Sequence, residues 1–195
     1  MTTREAFLAK VRAAQPEARQ RPVVPLFATP GGDLRGRFAT ALAGMGGTCA
    51  DAESAAQVLA LIHERFGAQA SVCSATPEVP GTRVLSADTP PASLQDVDVG
   101  VVRARFGVAE TGSVWFSEEE YRVNAIGYLV QHLIVLLDPA QILDGLQDVY
   151  RRPDFREARY AALVTGPSAT ADIEGVLIRG AQGVRSLTVV WLAPR

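Results

Sequence analysis

The chain has 195 residues, 48% hydrophobic and 21% charged, with a net charge of −2. That length suits one domain with an N-terminal extension and a core hiding roughly 70% of the unfolded surface. The charge balance argues against a nucleic-acid partner, no run reaches the roughly 20 apolar residues of a membrane span, and residues 1–15 lack the apolar centre of a signal peptide, so the expected location is the cytoplasm.

Thr2 and Glu5 have the spacing of a capping box, and Phe7, Leu8 and Val11 form an apolar stripe, which predicts an N-terminal helix. Residues 15–32 hold Pro16, Pro22, Pro25 and Pro30 and read as an extended surface arm. Residues 1–35 are therefore expected to be a helix and arm packed on the core, and residues 36–195 a single α/β domain. Residues 36–45 predict a short helix with Phe38, Leu42 and Met45 on one side, followed by a strand over 48–50. Residues 53–66 predict a stronger helix carrying Val58, Leu59, Ile62 and Phe66, stopped by Gly67. A strand over 70–73 follows, then a loop or irregular helix over 76–89.

Residues 98–103 and 114–116 predict strands, with a turn over 109–113 between them. The apolar run 133–137 has the pattern of a central strand buried on both faces. Asp138-Pro139 is expected to open a helix reaching about Tyr150, with Ile142, Leu143, Leu146 and Val149 inward. Residues 161–164 predict a strand, Gly166-Pro167 a tight turn, and the following residues a capped helix ending at Gly180. A last strand spans 187–192. Strands alternating with helices predict an α/β fold, a mostly parallel central sheet flanked by helices.

Three constellations carry polar chemistry. In the segment 165–174, Ser168 or Thr170 has the place of a helix cap, and Asp172 and Glu174 suit the positive end of the helix dipole. The same hydroxyls and free N–H groups would also meet a ligand, and the two carboxylates disfavour a bare phosphate. Glu110-Thr111-Gly112-Ser113 is either a β-turn with Gly112 at positive φ or a polar loop tip. His132, ahead of the apolar run, is either a hydrogen-bonded structural residue or a proton carrier. Arg122, between the turn and His132, has the fork that meets a carboxylate bidentately. Cys49 and Cys73 are the only cysteines and His63 the only other histidine, too few for a zinc site or for the roughly four thiolates of an iron–sulfur cluster. Phosphate-loop, nucleophile-elbow and dinucleotide fingerprints do not occur in the sequence.

In chain order, a strand, the Glu-Thr-Gly-Ser turn, His132 heading an apolar strand, Gly-Pro-Ser-x-Thr-Ala-Asp-Ile-Glu and a closing Gly-x-x-Gly resemble the LutC/YkgG-type lactate-utilization proteins of the LUD-domain family, over nearly the whole chain. The resemblance implies a fold similar to the NagB/RpiA/CoA-transferase group. It also implies a part in oxidising L-lactate to pyruvate beside iron–sulfur partner proteins, with no cofactor held by this chain. Glu110 and His132 are the candidate catalytic groups should this chain itself carry out chemistry. Thr111, Gly112, Ser113, Arg122, Gly166, Ser168, Thr170, Asp172 and Glu174 are candidate contacts for a small carboxylate. The alternative is a stand-alone enzyme for a CoA thioester or sugar phosphate, with Glu110 as base or nucleophile. The sequence departs from the family's usual pattern at Ser113 (commonly Thr), Ala169 (commonly basic), Gln182 (commonly His) and Val184 (commonly Pro), and Leu129-Val130-Gln131 replace a usual Pro pair. Gln182 hydrogen-bonds but does not titrate.

Overall fold

Alternation decides the centre of the molecule. Leu133, Val135 and Leu137 pack into one hydrophobic cluster and Ile134 and Leu136 into another, as a strand covered on both faces requires. The computed structural model, which describes residues 2–17, 20, 22–27, 31–171, 177–180 and 182–194, places this strand in the middle of a five-stranded parallel sheet. Numbered along the chain, its members are β1 (Thr48–Asp51), β2 (Val72–Ser74), β3 (Val99–Arg103), β6 (His132–Leu137) and β11 (Ser186–Trp191), in the order β1-β11-β6-β3-β2. The chain crosses once from the β1 edge to the β2 edge, then steps back through β3, β6 and β11. All five strands point the same way, so all their carboxyl ends share one edge of the sheet.

The crossover is α3 (Ala55–Phe66), capped by Ser54 and stopped by Gly67. Its Val58 and Ile62 pack with Val72, Val99, Ile134 and Val190 on one face of the sheet. The other face meets α2 (Leu34–Gly44) and a smaller sheet of β4 (Gly107–Val108), β5 (Ser113–Ser117), β7 (Ile142–Leu143) and β8 (Ala161–Val164), ordered β7-β4-β5-β8. Val114 and Phe116 of β5 turn into that interlayer, while Trp115 turns outward to Phe106, Val108 and Val149. The remaining elements are α4 (Glu118–Tyr121), α5 (Ile126–Leu129), α6 (Leu146–Arg151), α7 (Asp154–Glu157) and a hairpin of β9 (Ala169–Ala171) and β10 (Leu177–Arg179).

At the N-terminus, α1 (Thr3–Ala13) forms its capping box: Glu5 N–H donates to Thr2 Oγ1 at 3.3 Å and Thr2 N–H to Glu5 Oε2 at 2.7 Å. No residue of α1 is buried, and Phe7 is exposed. The arm meets the body at α6, where Gln147 accepts from Phe27 N–H at 2.9 Å and donates to the Pro25 carbonyl at 3.0 Å.

Two expected helices are replaced by other structure. Asp138 does cap, accepting from Ala140 N–H at 2.9 Å, but only a 3-10 turn, Pro139–Gln141, follows. Ile142 and Leu143 then become β7, because the open edge of β4 takes their backbone: Ala109 N–H donates to the Leu143 carbonyl at 2.8 Å. Helix resumes only after Gly145, as the six-residue α6. Helical spacing of Ile142, Leu146 and Val149 thus arose from two different elements.

The residues after Gly166-Pro167 likewise form a hairpin rather than a capped helix. Ser168 N–H donates to the Val184 carbonyl at 2.9 Å and Gly180 N–H to the Ser168 carbonyl at 2.7 Å, so this backbone is held across the chain rather than along it. Asp172 and Glu174 lie outside the described residues.

Candidate functional site

The Glu110–Ser113 turn joins β4 to β5, and its glycine is required by packing. Gly112 has φ +63°, and a Cβ there would stand 2.2 Å from the Leu42 backbone nitrogen. Gly166 repeats the arrangement: φ +63°, with a Cβ reaching 2.3 Å from the Met45 carbonyl oxygen. The two turns touch, since Thr165 Oγ1 donates to the Thr111 carbonyl at 3.2 Å. Together they form a socket for the C-terminal end of α2, which fills the space between them. The polar groups of the turn are also engaged. Glu110 Oε2 accepts from Leu146 N–H at 2.8 Å, at the start of α6, and Thr111 Oγ1 donates to Ser113 Oγ at 2.8 Å with Ser113 buried.

On the far side of the second turn, Gly166, Ser168, Gln182 and Gly183 line a largely apolar hollow of about 610 Å³, with Tyr128 and Val164. Ser168 Oγ donates to the Gln182 carbonyl, closing the hollow at its polar corner. Thr170 is exposed on β9, its hydroxyl directed to the Ile178 carbonyl at 3.5 Å.

His132 has its own set of partners. As the first residue of β6 it sits at the amino ends of the parallel strands, beside Val99 and Ser186 in register. Its Nδ1 shares a 2.8 Å hydrogen bond with Ser186 Oγ, and its ring stacks on Phe66 at 4.4 Å. Burial, joined by the Arg185 charge, pulls its pKa below the ordinary imidazole value against the opposing pull of Asp98. The length of β6 puts His132 roughly 16 Å from the carboxyl ends of the sheet, at about 3.3 Å per residue. The structure therefore joins Glu110–Ser113 to Gly166, while the hydrogen-bond and ring partners of the His132 side chain among the described residues are Ser186 and Phe66.

The carboxyl ends, where ligands of open α/β sheets bind, carry a cleft of about 450 Å³. Its walls include Thr76 beyond β2, Arg103 and Arg105 at and beyond β3, Asp138 beyond β6, and Arg122 beyond α4. Arg103 is held by a two-pronged pair with Glu78 and by donating Nη1 to the Leu192 carbonyl at 2.9 Å. Arg105 is held by Glu120 at 2.7 Å, Asp154 at 2.9 Å and Glu119 at 2.6 Å. Arg122 has no hydrogen bond or ion pair to its side chain among the described residues, and it is exposed. It also has the only positive φ of a non-glycine among them, +58° with ψ −47°. Val123 N–H donates to the Tyr121 carbonyl at 2.6 Å, so Arg122 is the apex of a tight γ-turn of the rare positive-φ hand.

Arg103, Arg105, Thr76 and Glu78 were not among the sequence-predicted site residues. The available signal was position: Arg103 and Arg105 directly end the apolar strand 99–102, where the carboxyl-end rule directs attention. For metal binding, no group of three or more His, Cys, Asp or Glu side chains among the described residues could hold an ion. Burial raises both thiols, Cys49 to about 11, which keeps them protonated and poor as ligands at neutral pH.

Comparison with known proteins adds two findings. The LUD domain family model matches residues 91–192, a span that includes the Glu110 turn, Arg122, His132 and the Gly166 segment. The crystal structure of a DUF162 family protein from Deinococcus radiodurans superposes with a TM-score of 0.62 at 18% identity, covering 82% of this chain and 96% of that one, which establishes a shared fold. Among curated proteins, none matches the chain.

Proposed function

This chain belongs to the LUD-domain family, and from that membership we propose that it is a LutC/YkgG-type, non-redox component of an L-lactate oxidation system. The family is associated with lactate utilization in general. Converting L-lactate to pyruvate releases two electrons and two protons, so the system needs an electron acceptor. With two cysteines in the whole sequence and both thiols raised by burial, this chain is a poor host for iron–sulfur clusters, which supports assigning them to partner proteins. The chain's own contribution is then to bind a small carboxylate or to organise those partners.

The observation that carries the reading is the family match across just over half of the chain. The alternative role of Glu110 as base or nucleophile competes with a structural one, because its Oε2 caps α6. Affinity purification of the tagged protein from cells grown on L-lactate is the test. Iron–sulfur proteins should co-purify, and deletion of the gene should slow growth on L-lactate but not on glucose. Unimpaired growth on L-lactate with no iron–sulfur protein retained refutes the reading.

A further inference from the structure

Three features converge on the carboxyl-end cleft. The first is strain. A side-chain-bearing residue at the apex of a positive-φ γ-turn adopts a backbone that L residues rarely occupy, and glycine would hold this turn at lower cost. Arg122 makes no side-chain contact that would repay that strain inside the protein, among the described residues. The second is charge. Of the three arginines lining the cleft, Arg103 and Arg105 are neutralised by Glu78, Glu119, Glu120 and Asp154. Arg122 alone keeps its donor fork open. The third is a buried donor. Thr76 is only 7% exposed; its Oγ1 accepts from Glu78 N–H at 3.3 Å, and its O–H has no acceptor among the described residues.

We infer that this cleft binds a small monocarboxylate bearing a 2-hydroxy or 2-oxo group, with the carboxylate on the Arg122 guanidinium and the neighbouring oxygen on the Thr76 hydroxyl. The choice of ligand class rests on the proposed role in lactate oxidation; the site itself rests on the cleft. A guanidinium fork matches a carboxylate in the plane, which a lysine would not do. Three of the four acids on the cleft wall, Glu78, Glu119 and Glu120, pair with Arg103 or Arg105, while Asp138 accepts from Ala140 N–H and makes no ion pair with Arg122. The four acids do outnumber the three arginines, so attraction is local rather than a field over the whole cleft. A volume of about 450 Å³ exceeds what such a ligand fills, leaving room on the open side for a partner's redox group.

The test is titration of the full-length chain with L-lactate and with pyruvate, followed by NMR or calorimetry, with inorganic phosphate at equal ionic strength as the control anion. Wild type should bind at least one of the two carboxylates more tightly than phosphate. Arg122→Gln should weaken that binding at least ~10-fold, and Arg122→Lys, which keeps charge without the fork, by about 3-fold or more. Arg122→Gly should lose binding and yet raise Tm by about 2–6 °C, the signature of strain held for a ligand. Absence of carboxylate binding to wild type overturns the inference, as does equal binding by Arg122→Gln, equal or tighter phosphate binding, or a lower Tm for Arg122→Gly. Co-purification reads the functional proposal separately: partners retained without carboxylate binding would remove this site and leave that role standing.

Discussion

Replacing Gly112 by alanine tests whether the Glu-Thr-Gly-Ser turn is a socket or a ligand loop. An added Cβ would lie 2.2 Å from Leu42 N and 2.6 Å from Leu42 Cα. Both are helix backbone, which cannot rotate aside, so α2 has to shift or the turn has to open. Overpacking of this kind costs about 1–3 kcal/mol, and alanine at φ +63° adds about 1–2 kcal/mol. Loss of glycine's freedom in the unfolded chain returns about 0.4–1 kcal/mol. The net expectation is a loss of roughly 2–4 kcal/mol, which lowers the urea midpoint by about 1–2 M for a chain of this size. Gly31 supplies the control: it has the same φ of +63° with nothing within 4 Å of a built Cβ. Gly31→Ala should therefore shift the midpoint by no more than about 0.8 M. Equal shifts for Gly112→Ala and Gly31→Ala would refute the socket. So would an unchanged Gly112→Ala midpoint combined with loss of ligand binding.

Three further substitutions probe other parts of the fold. Tyr121 is fully buried with no hydrogen-bond partner for its hydroxyl among the described residues, so Tyr121→Phe should be neutral or stabilising by up to about 1 kcal/mol in urea unfolding; a loss above that size would reveal a partner. Because the folded pKa of His132 lies below its unfolded value of about 6.5, its contribution is complete above that pH and is lost as pH falls through the folded pKa. Urea midpoints at pH 7.5 and pH 5.5 should accordingly converge in His132→Gln relative to wild type, and an identical pH slope in both proteins would count against this. Glu110→Ala should cost about 1 kcal/mol through the exposed start of α6 and leave carboxylate binding in the Arg122 cleft unchanged; a selective loss of binding would return Glu110 to the site.

Much of the parallel sheet was legible because each of its strands carries its own signal. The run 133–137 and the weaker 98–103 and 187–192 became β6, β3 and β11, and α3 with its Gly67 stop followed from the spacing of Val58 and Ile62. In the second sheet, β5 and β8 were legible as the runs 114–116 and 161–164, but β4 and β7 were not, for a reason visible in β7. A two-residue strand has no period of its own, and its identity comes from the free edge of β4, supplied by residues more than thirty positions earlier. The hairpin after Gly166 shows the same limit. Ser168 and Thr170 have cap chemistry, but Val184 claims the Ser168 N–H from a distance in sequence. Local propensity is a weak prior wherever a distant backbone offers a ready partner.

The candidate site residues divide along one physical line. Gly112 and Gly166 stand out in the sequence because backbone geometry tolerates nothing larger there, and that same constraint makes them scaffold: they admit Leu42 and Met45 of the α2 end. This contact also joins residues 34–47, outside the matched LUD span, to two turns within it, so the turns fix where the N-terminal part of the domain sits. A ligand contact is under the opposite constraint. It must keep a donor free, and it gains its meaning from position at a strand's carboxyl end rather than from a spacing motif. Arg122 meets that description better than Glu110, since one Glu110 carboxylate oxygen accepts from Leu146 N–H while Arg122 lines a cleft whose other cations are already paired. The residues that identify the family and the residues proposed to bind are therefore separate sets, and the Gly112 and Arg122 substitutions should affect stability and binding in opposite patterns.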